Sequence, residues 1–163
     1  MNIVLLEPEI PANTGNIGRT CVVTGSTLHL IEPLGFQINE KMLKRAGLDY
    51  WHKLDVRMYS DYKDFRSKCT DNRIWYLTTK AEKSYSDVRF SPGDFLLFGK
   101  ETAGIPEEIL VENRDSCIRI PMIKEERSLN LSNAVAIVLY EALRQNSFEG
   151  LEEKGELHNL KWR

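Results

Sequence analysis

The chain opens Asn2-Ile3-Val4-Leu5-Leu6-Glu7-Pro8-Glu9-Ile10-Pro11-Ala12-Asn13-Thr14-Gly15-Asn16-Ile17-Gly18-Arg19, and this stretch decides the fold. The run from Ile3 to Leu6 lacks polar–apolar alternation, which is how a strand covered on both faces reads. Prolines, glycines and small polar side chains follow, and a helical pattern then runs from Asn16 to Thr24. A strand passing through a glycine-bearing turn into a helix is the opening of a parallel βα unit. The backbone N–H groups of such a turn can face an anion. Arg19, just beyond it, can add a fixed positive charge. An ordinary strand-to-helix turn with Arg19 on the surface explains the same residues.

Outward from there the pattern repeats. Strand-like runs cover Leu28 to Ile31, Ile74 to Leu77, Phe95 to Phe98 and Cys117 to Ile120. Helical segments cover Glu40 to Ala46, Tyr62 to Cys69 and Pro106 to Glu112, where Pro106 suits a first helical turn. Alternating strands and helices predict an α/β fold with a mainly parallel sheet. The 163 residues give room for one domain, which at this size buries about 70% of its unfolded surface. That domain is expected to span 1–148, with a polar tail of mixed charge over 149–163. The last long element, Ser132 to Gln145, is apolar around nearly its whole circumference. Such a helix is covered on more than one side, by a second subunit or by a long loop.

With 22 Lys and Arg against 24 Asp and Glu, the net charge is -2. Bulk charge therefore cannot hold the chain to nucleic acid, although a local basic patch can. Cys21, Cys69 and Cys117 form no CxxC and read as reduced, buried thiols of a cytoplasmic protein. His29, His52 and His158 are scattered, and no metal is expected. No apolar stretch reaches the roughly 18 residues of a membrane span. Met1 leads straight into the first strand, so no signal peptide is expected.

Two later stretches can carry chemistry. Phe98-Gly99-Lys100-Glu101-Thr102-Ala103-Gly104-Ile105-Pro106 closes one strand and opens a helix. Gly99 and Gly104 permit close backbone approach to a ligand or another chain. Glu101 can fix the loop by accepting backbone hydrogen bonds. Ile118-Arg119-Ile120-Pro121-Met122 leads through Lys124-Glu125-Glu126-Arg127 to Ser128-Leu129-Asn130-Leu131-Ser132-Asn133-Ala134, a natural helix entry. Alone, each is equally a plain βα loop or helix cap. Glu32 stands where a dinucleotide's ribose would need an acid, yet Gly15-Asn16-Ile17-Gly18 lacks GxGxxG spacing and no phosphate loop is present.

Taken in order, N-T-G-N-I-x-R, F-G-x-E-x-x-G-I-P and I-P-M with S-L-N-L-S-N-A-V resemble the three motifs of the SPOUT methyltransferases. L-x-E-P-E-I-P, H-L-I-E-P-L-G-F, R-A-G-L-D-Y and L-T-T-K are similar to that superfamily's small tRNA (cytidine/uridine) 2′-O-methyltransferase branch. The resemblance implies an α/β fold with a deep C-terminal trefoil knot, which topology rules would never propose. It implies a homodimer acting on the wobble nucleotide of leucine tRNAs, with S-adenosyl-L-methionine as donor and S-adenosyl-L-homocysteine as product. By the same resemblance Leu77, Gly99, Glu101, Ile120, Ser128, Leu129 and Asn130 form the donor site, and Arg19 is the catalytic arginine.

Lys41, Lys44, Arg45, Tyr50, Trp51, His52 and Lys53 interleave charge with aromatic rings and are RNA-binding candidates, with Arg127 a further phosphate contact. A solvated helix face with Tyr50 and Trp51 packed inward explains the first group as well. Competing readings are another RNA target for the same chemistry, or an RNA-binding protein without catalysis.

Overall fold

The computed structural model describes residues 1–37 and 50–162. Seven strands form one sheet: β1 (Asn2–Leu6), β2 (Thr27–Ile31), β3 (Val56–Tyr59), β4 (Ile74–Leu77), β5 (Lys83–Ser84), β6 (Phe95–Phe98) and β7 (Cys117–Arg119). Every pairing is parallel, in the order β3-β2-β1-β6-β4-β7-β5. Among the described residues, the α-helices are α1 (Pro11–Thr24), α2 (Tyr62–Lys68), α3 (Glu107–Glu112) and α4 (Leu131–Gln145).

Period-two geometry sends alternate residues of each central strand to opposite faces. Ile3 and Leu5 pack with Leu28, Leu30, Leu96 and Ile118 beneath α1 and α4. Val4 and Leu6 pack with Ile31, Tyr76 and Leu97 against Phe65 of α2 and Leu110 of α3. β1 and β6 are apolar at nearly every position because they lie mid-sheet with both faces covered. α4 buries Val135, Val138, Leu139, Ala142 and Leu143, while Ile137 and Tyr140 remain exposed. The all-round apolar pattern thus resolves into one core face and one outward face.

Two helix starts and two strands differ most from the sequence reading. α1 starts at Pro11, so Asn13, Thr14 and Gly15 are buried helix residues rather than a turn. Pro106 is the N-cap of α3 and lies outside its first turn. β3 and the two-residue β5 were missed: both are edge strands, and Val56-Arg57-Met58-Tyr59 carries a charge and exposed positions that break an apolar run. The helix expected over Glu40 to Ala46 lies outside the described residues. Cys21, Cys69 and Cys117 are free and buried, and burial pushes the Cys21 thiol up to about 12.

His29 is fully buried in β2, its Nδ1 2.8 Å from the Tyr59 hydroxyl and its Nε2 3.1 Å from Asn2 Oδ1. Burial, with the Arg57 charge second, holds its pKa down to about 4. The unfolded imidazole titrates near 6.5. His29 therefore favours the folded state above about pH 6.5, and that contribution is lost as pH falls toward 4. Urea midpoints of the wild type should decline across this window, and His29→Gln should flatten the decline. An unchanged slope in the variant would show that His29 is not the titrating group.

Candidate active site

The carboxyl ends of β1, β4, β6 and β7 feed loops that converge on one side of the sheet. Between the last three of these and the start of α4 lies a cleft of about 590 Å³. Leu77, Gly99, Glu101, Ile120, Ser128, Leu129 and Asn130 all line it, and so does Arg127. Residues far apart in sequence thus share one wall. In open α/β sheets, ligands bind at this end of the strands.

A carboxylate organises the loops. Glu101 accepts hydrogen bonds from the Glu9 N–H (2.8 Å), the Ile10 N–H (3.2 Å) and Asn13 Nδ2 (3.0 Å). α1 has no side-chain cap of its own, so Glu101 serves its N-terminus from another loop. The anion-binding capacity expected of residues 8–19 is present, but an internal carboxylate occupies it. Glu9 returns the contact by accepting from the Thr102 N–H (3.0 Å) and hydroxyl (2.8 Å), and these bonds hold its carboxyl below the ordinary range. Lys100 pairs with Glu7 at 2.7 Å, and that bond and charge hold its ammonium above the usual lysine range.

Asn13, 5% exposed, extends the network. Its Oδ1 accepts from Asn130 Nδ2 at 3.0 Å. Asn130 Oδ1 then caps α4, accepting from the Ser132 N–H (2.9 Å) and hydroxyl (2.7 Å). One line of amides thus joins all three motif loops. Asn13 was not singled out as a site residue, because an asparagine inside N-T-G-N reads as a turn former. The signal was its place in the motif.

The glycine at 99 has a different cause from the one expected. A Cβ there would collide with the Gly104 carbonyl and the Ile105 nitrogen, so the loop's own closure excludes a side chain. Gly104, at φ +71°, donates its N–H to the Lys100 carbonyl at 2.8 Å and completes that closure.

Arg19 stands on the exposed side of α1 and does not line the cleft. It lies about 9 Å along the helix axis from Asn13. Its guanidinium sits over the Tyr50 ring, 4.5 Å from the centroid, and the Tyr50 hydroxyl donates to the Gly15 carbonyl at 2.6 Å. Trp51 packs against the core cluster under α1. Tyr50 and Trp51 are both partly buried. Lys41, Lys44 and Arg45 lie outside the described residues. Among the described residues, no group of three or more His, Cys, Asp or Glu side chains could hold a metal ion.

A parallel α/β sheet with a loop-built cleft over its strand ends is the arrangement of ligand-binding proteins of the α/β class. The chain belongs to the SpoU rRNA Methylase family, whose pattern matches residues 1–140. It is 50% identical over 151 residues to the tRNA (cytidine(34)-2′-O)-methyltransferase of Escherichia coli K12, covering 92% of this chain and 96% of that one. A solved chain from Bacillus anthracis superposes with a TM-score of 0.90 at 49% identity, covering 94% of this chain and 99% of that one. A second solved structure, described as giving insight into 2′-OH methylation of C/U34 on tRNA, superposes with a TM-score of 0.84 at 44% identity. It covers 90% of this chain and 95% of that one.

Asn13→Asp tests the network with almost no change of shape, because it sets a second carboxylate against Glu101. Urea denaturation at pH 7 should give a loss of about 2 kcal/mol or more. The loss should shrink at pH 5, as one carboxyl of the pair takes up a proton. Wild-type stability at pH 7 would mean that the amide line does not join these loops.

Proposed function

We propose that this chain is an S-adenosyl-L-methionine-dependent methyltransferase that modifies the ribose 2′-hydroxyl of the wobble nucleotide, cytidine or modified uridine, in tRNA. Leucine tRNAs are its proposed substrates, and the cytoplasm its place of action. The observation that carries this reading is the cleft itself, in which seven residues from three separated segments of the chain meet. The relatives named for cytidine 34 methylation support the substrate.

The cleft suits the donor. Its volume lies within the roughly 300–1,000 Å³ of small-molecule sites. Leu77, Ile120 and Leu129 offer aliphatic walls for a flat adenine, Ser128 offers polar groups to the donor's amino-acid portion, and Glu101 and Asn130 organise the loops. When bound, the donor supplies a methyl group already activated by a positive sulfur. Arg19 acts on the acceptor side. A guanidinium holds its proton at any working pH, so Arg19 is no general base. Its charge stabilises the oxyanion that develops at the ribose as the hydroxyl proton passes to solvent water, and its N–H groups orient the hydroxyl. Arg127, at the rim of the cleft, is offered to an RNA phosphate.

Two copies work together in this reading. Val23 is 61% exposed one turn after Arg19, on the same side of α1, and α1 packs against α4 with its outward Ile137 and Tyr140. Pairing through this face would set Arg19 at the seam between copies, in reach of a cleft that it does not line. The catalytic unit is taken to be 1–148, with 149–163 outside it. The C-terminal trefoil knot belongs to the same reading. Segment 120–130 leaves β7 and reaches the start of α1, where Asn130 Nδ2 donates to Asn13 Oδ1.

Labelled donor and bulk tRNA, followed by mapping of ribose methylation, test the activity. Methyl groups on a base, or none on tRNA, would overturn it. Arg19→Ala should bind donor with unchanged affinity and lose about 100- to 1,000-fold in turnover. Ile137→Asp with Tyr140→Asp should sediment as a monomer under conditions where the wild type is a dimer. A dimeric double variant would refute the proposed face.

A further inference from the structure

We propose that Tyr50 is a positioning residue for Arg19, a bracket that sets the plane of the guanidinium before RNA arrives. The proposal rests on the catalytic reading of Arg19 given above and adds a second residue to it. Tyr50 precedes a single 3₁₀ turn, Trp51–Lys53. That segment is seated directly on α1. A Cβ at Gly18 would come within 3.1 Å of Leu54 Cδ2 and 3.3 Å of the Trp51 ring. A side chain at Gly18 would press on this segment, whose Leu54 and Trp51 side chains would have to give by a few tenths of an ångström.

Tyr50 holds Arg19 from two directions. Its ring lies under the guanidinium at 4.5 Å. Its hydroxyl donates at 2.6 Å to the Gly15 carbonyl, the α1 acceptor that helix pairing assigns to the backbone N–H of Arg19 itself. A carbonyl oxygen has two lone pairs and accommodates both donors. The ring is thus anchored to the helical turn that carries the arginine, and both ends of Arg19 refer to one carbonyl. A long side chain with several free torsions is held in one orientation, so less order has to be imposed when the ribose binds. One face of the guanidinium is covered by the ring, which removes that face from stacking on a base.

The test compares Tyr50→Leu, Tyr50→Phe and wild type in turnover, donor affinity by calorimetry, and the proton shift of Arg19 Nε–H, assigned by its loss in Arg19→Lys. Tyr50→Leu should lower turnover about tenfold, a loss typical of a cation–π contact, with donor affinity unchanged. Arg19 Nε–H should move out of the ring's shielding. Tyr50→Phe keeps the ring and should recover most of the turnover and the shifted resonance. In an Arg19→Ala background, Tyr50→Leu should have no further effect, since the two residues act as one unit. A further tenfold loss in that background, or an Arg19 resonance indifferent to Tyr50→Leu, would overturn the proposal. If Tyr50→Leu does not fold, the Nε–H shift in Tyr50→Phe decides alone, and a shift away from the wild-type position overturns the proposal. Full activity of Arg19→Ala would instead overturn the catalytic reading of Arg19.

Discussion

Glu101 can only accept hydrogen bonds, and that one restriction orders the polar groups of the whole site. Asn13 must turn its Nδ2 toward the carboxylate, which leaves its Oδ1 for Asn130. Asn130 must then present Nδ2 to Asn13, which leaves its own Oδ1 to cap α4. No amide in the line can be reversed without setting two acceptors or two donors against each other. A single carboxylate thus fixes the N-terminus of α1, the loop after β6 and the entry to α4 with respect to one another.

The same restriction explains why a loop-built cleft is a defined shape. Loops are the mobile parts of most folds, because their backbone groups lie in water. Here the loops after β1 and β6 are joined in both directions, Glu101 reaching the amides before α1 and Glu9 accepting from Thr102. Gly99 and Gly104 let the second loop close on itself, and Lys100 ties it to Glu7. The parallel sheet supplies the remaining order. β1, β6, β4 and β7 end on one side, so their loops cannot avoid each other.

Arg19 stands apart from the cleft. The network that shapes the cleft ends at Asn13, and Arg19 is carried further along α1 and outward. Its surroundings are a different set: Tyr50, Gly15 and the Trp51 segment seated on Gly18. The cleft and the surroundings of Arg19 are therefore built by two separate clusters on one helix, the first at its N-terminus and the second one to two turns later.

The central strands were legible because burial on both faces leaves an uninterrupted apolar run, as in Val4 to Leu6 and Phe95 to Phe98. Edge strands escaped notice because an exposed edge tolerates Arg57 and Lys83. The start of α1 was misread because its first turns hold Asn13, Thr14 and Gly15, residues that favour turns unless tertiary contacts hold them in a helix. What the sequence by itself determined is the α/β alternation, the mid-sheet strands and the three ordered motifs, since each depends on local composition and spacing. The tertiary structure alone decided that Glu101 caps α1, that Asn13 links the motifs, that Gly99 serves its own loop and that Tyr50 lies beneath Arg19. Each of those contacts pairs residues from separate segments, and only the folded sheet brings their atoms into range.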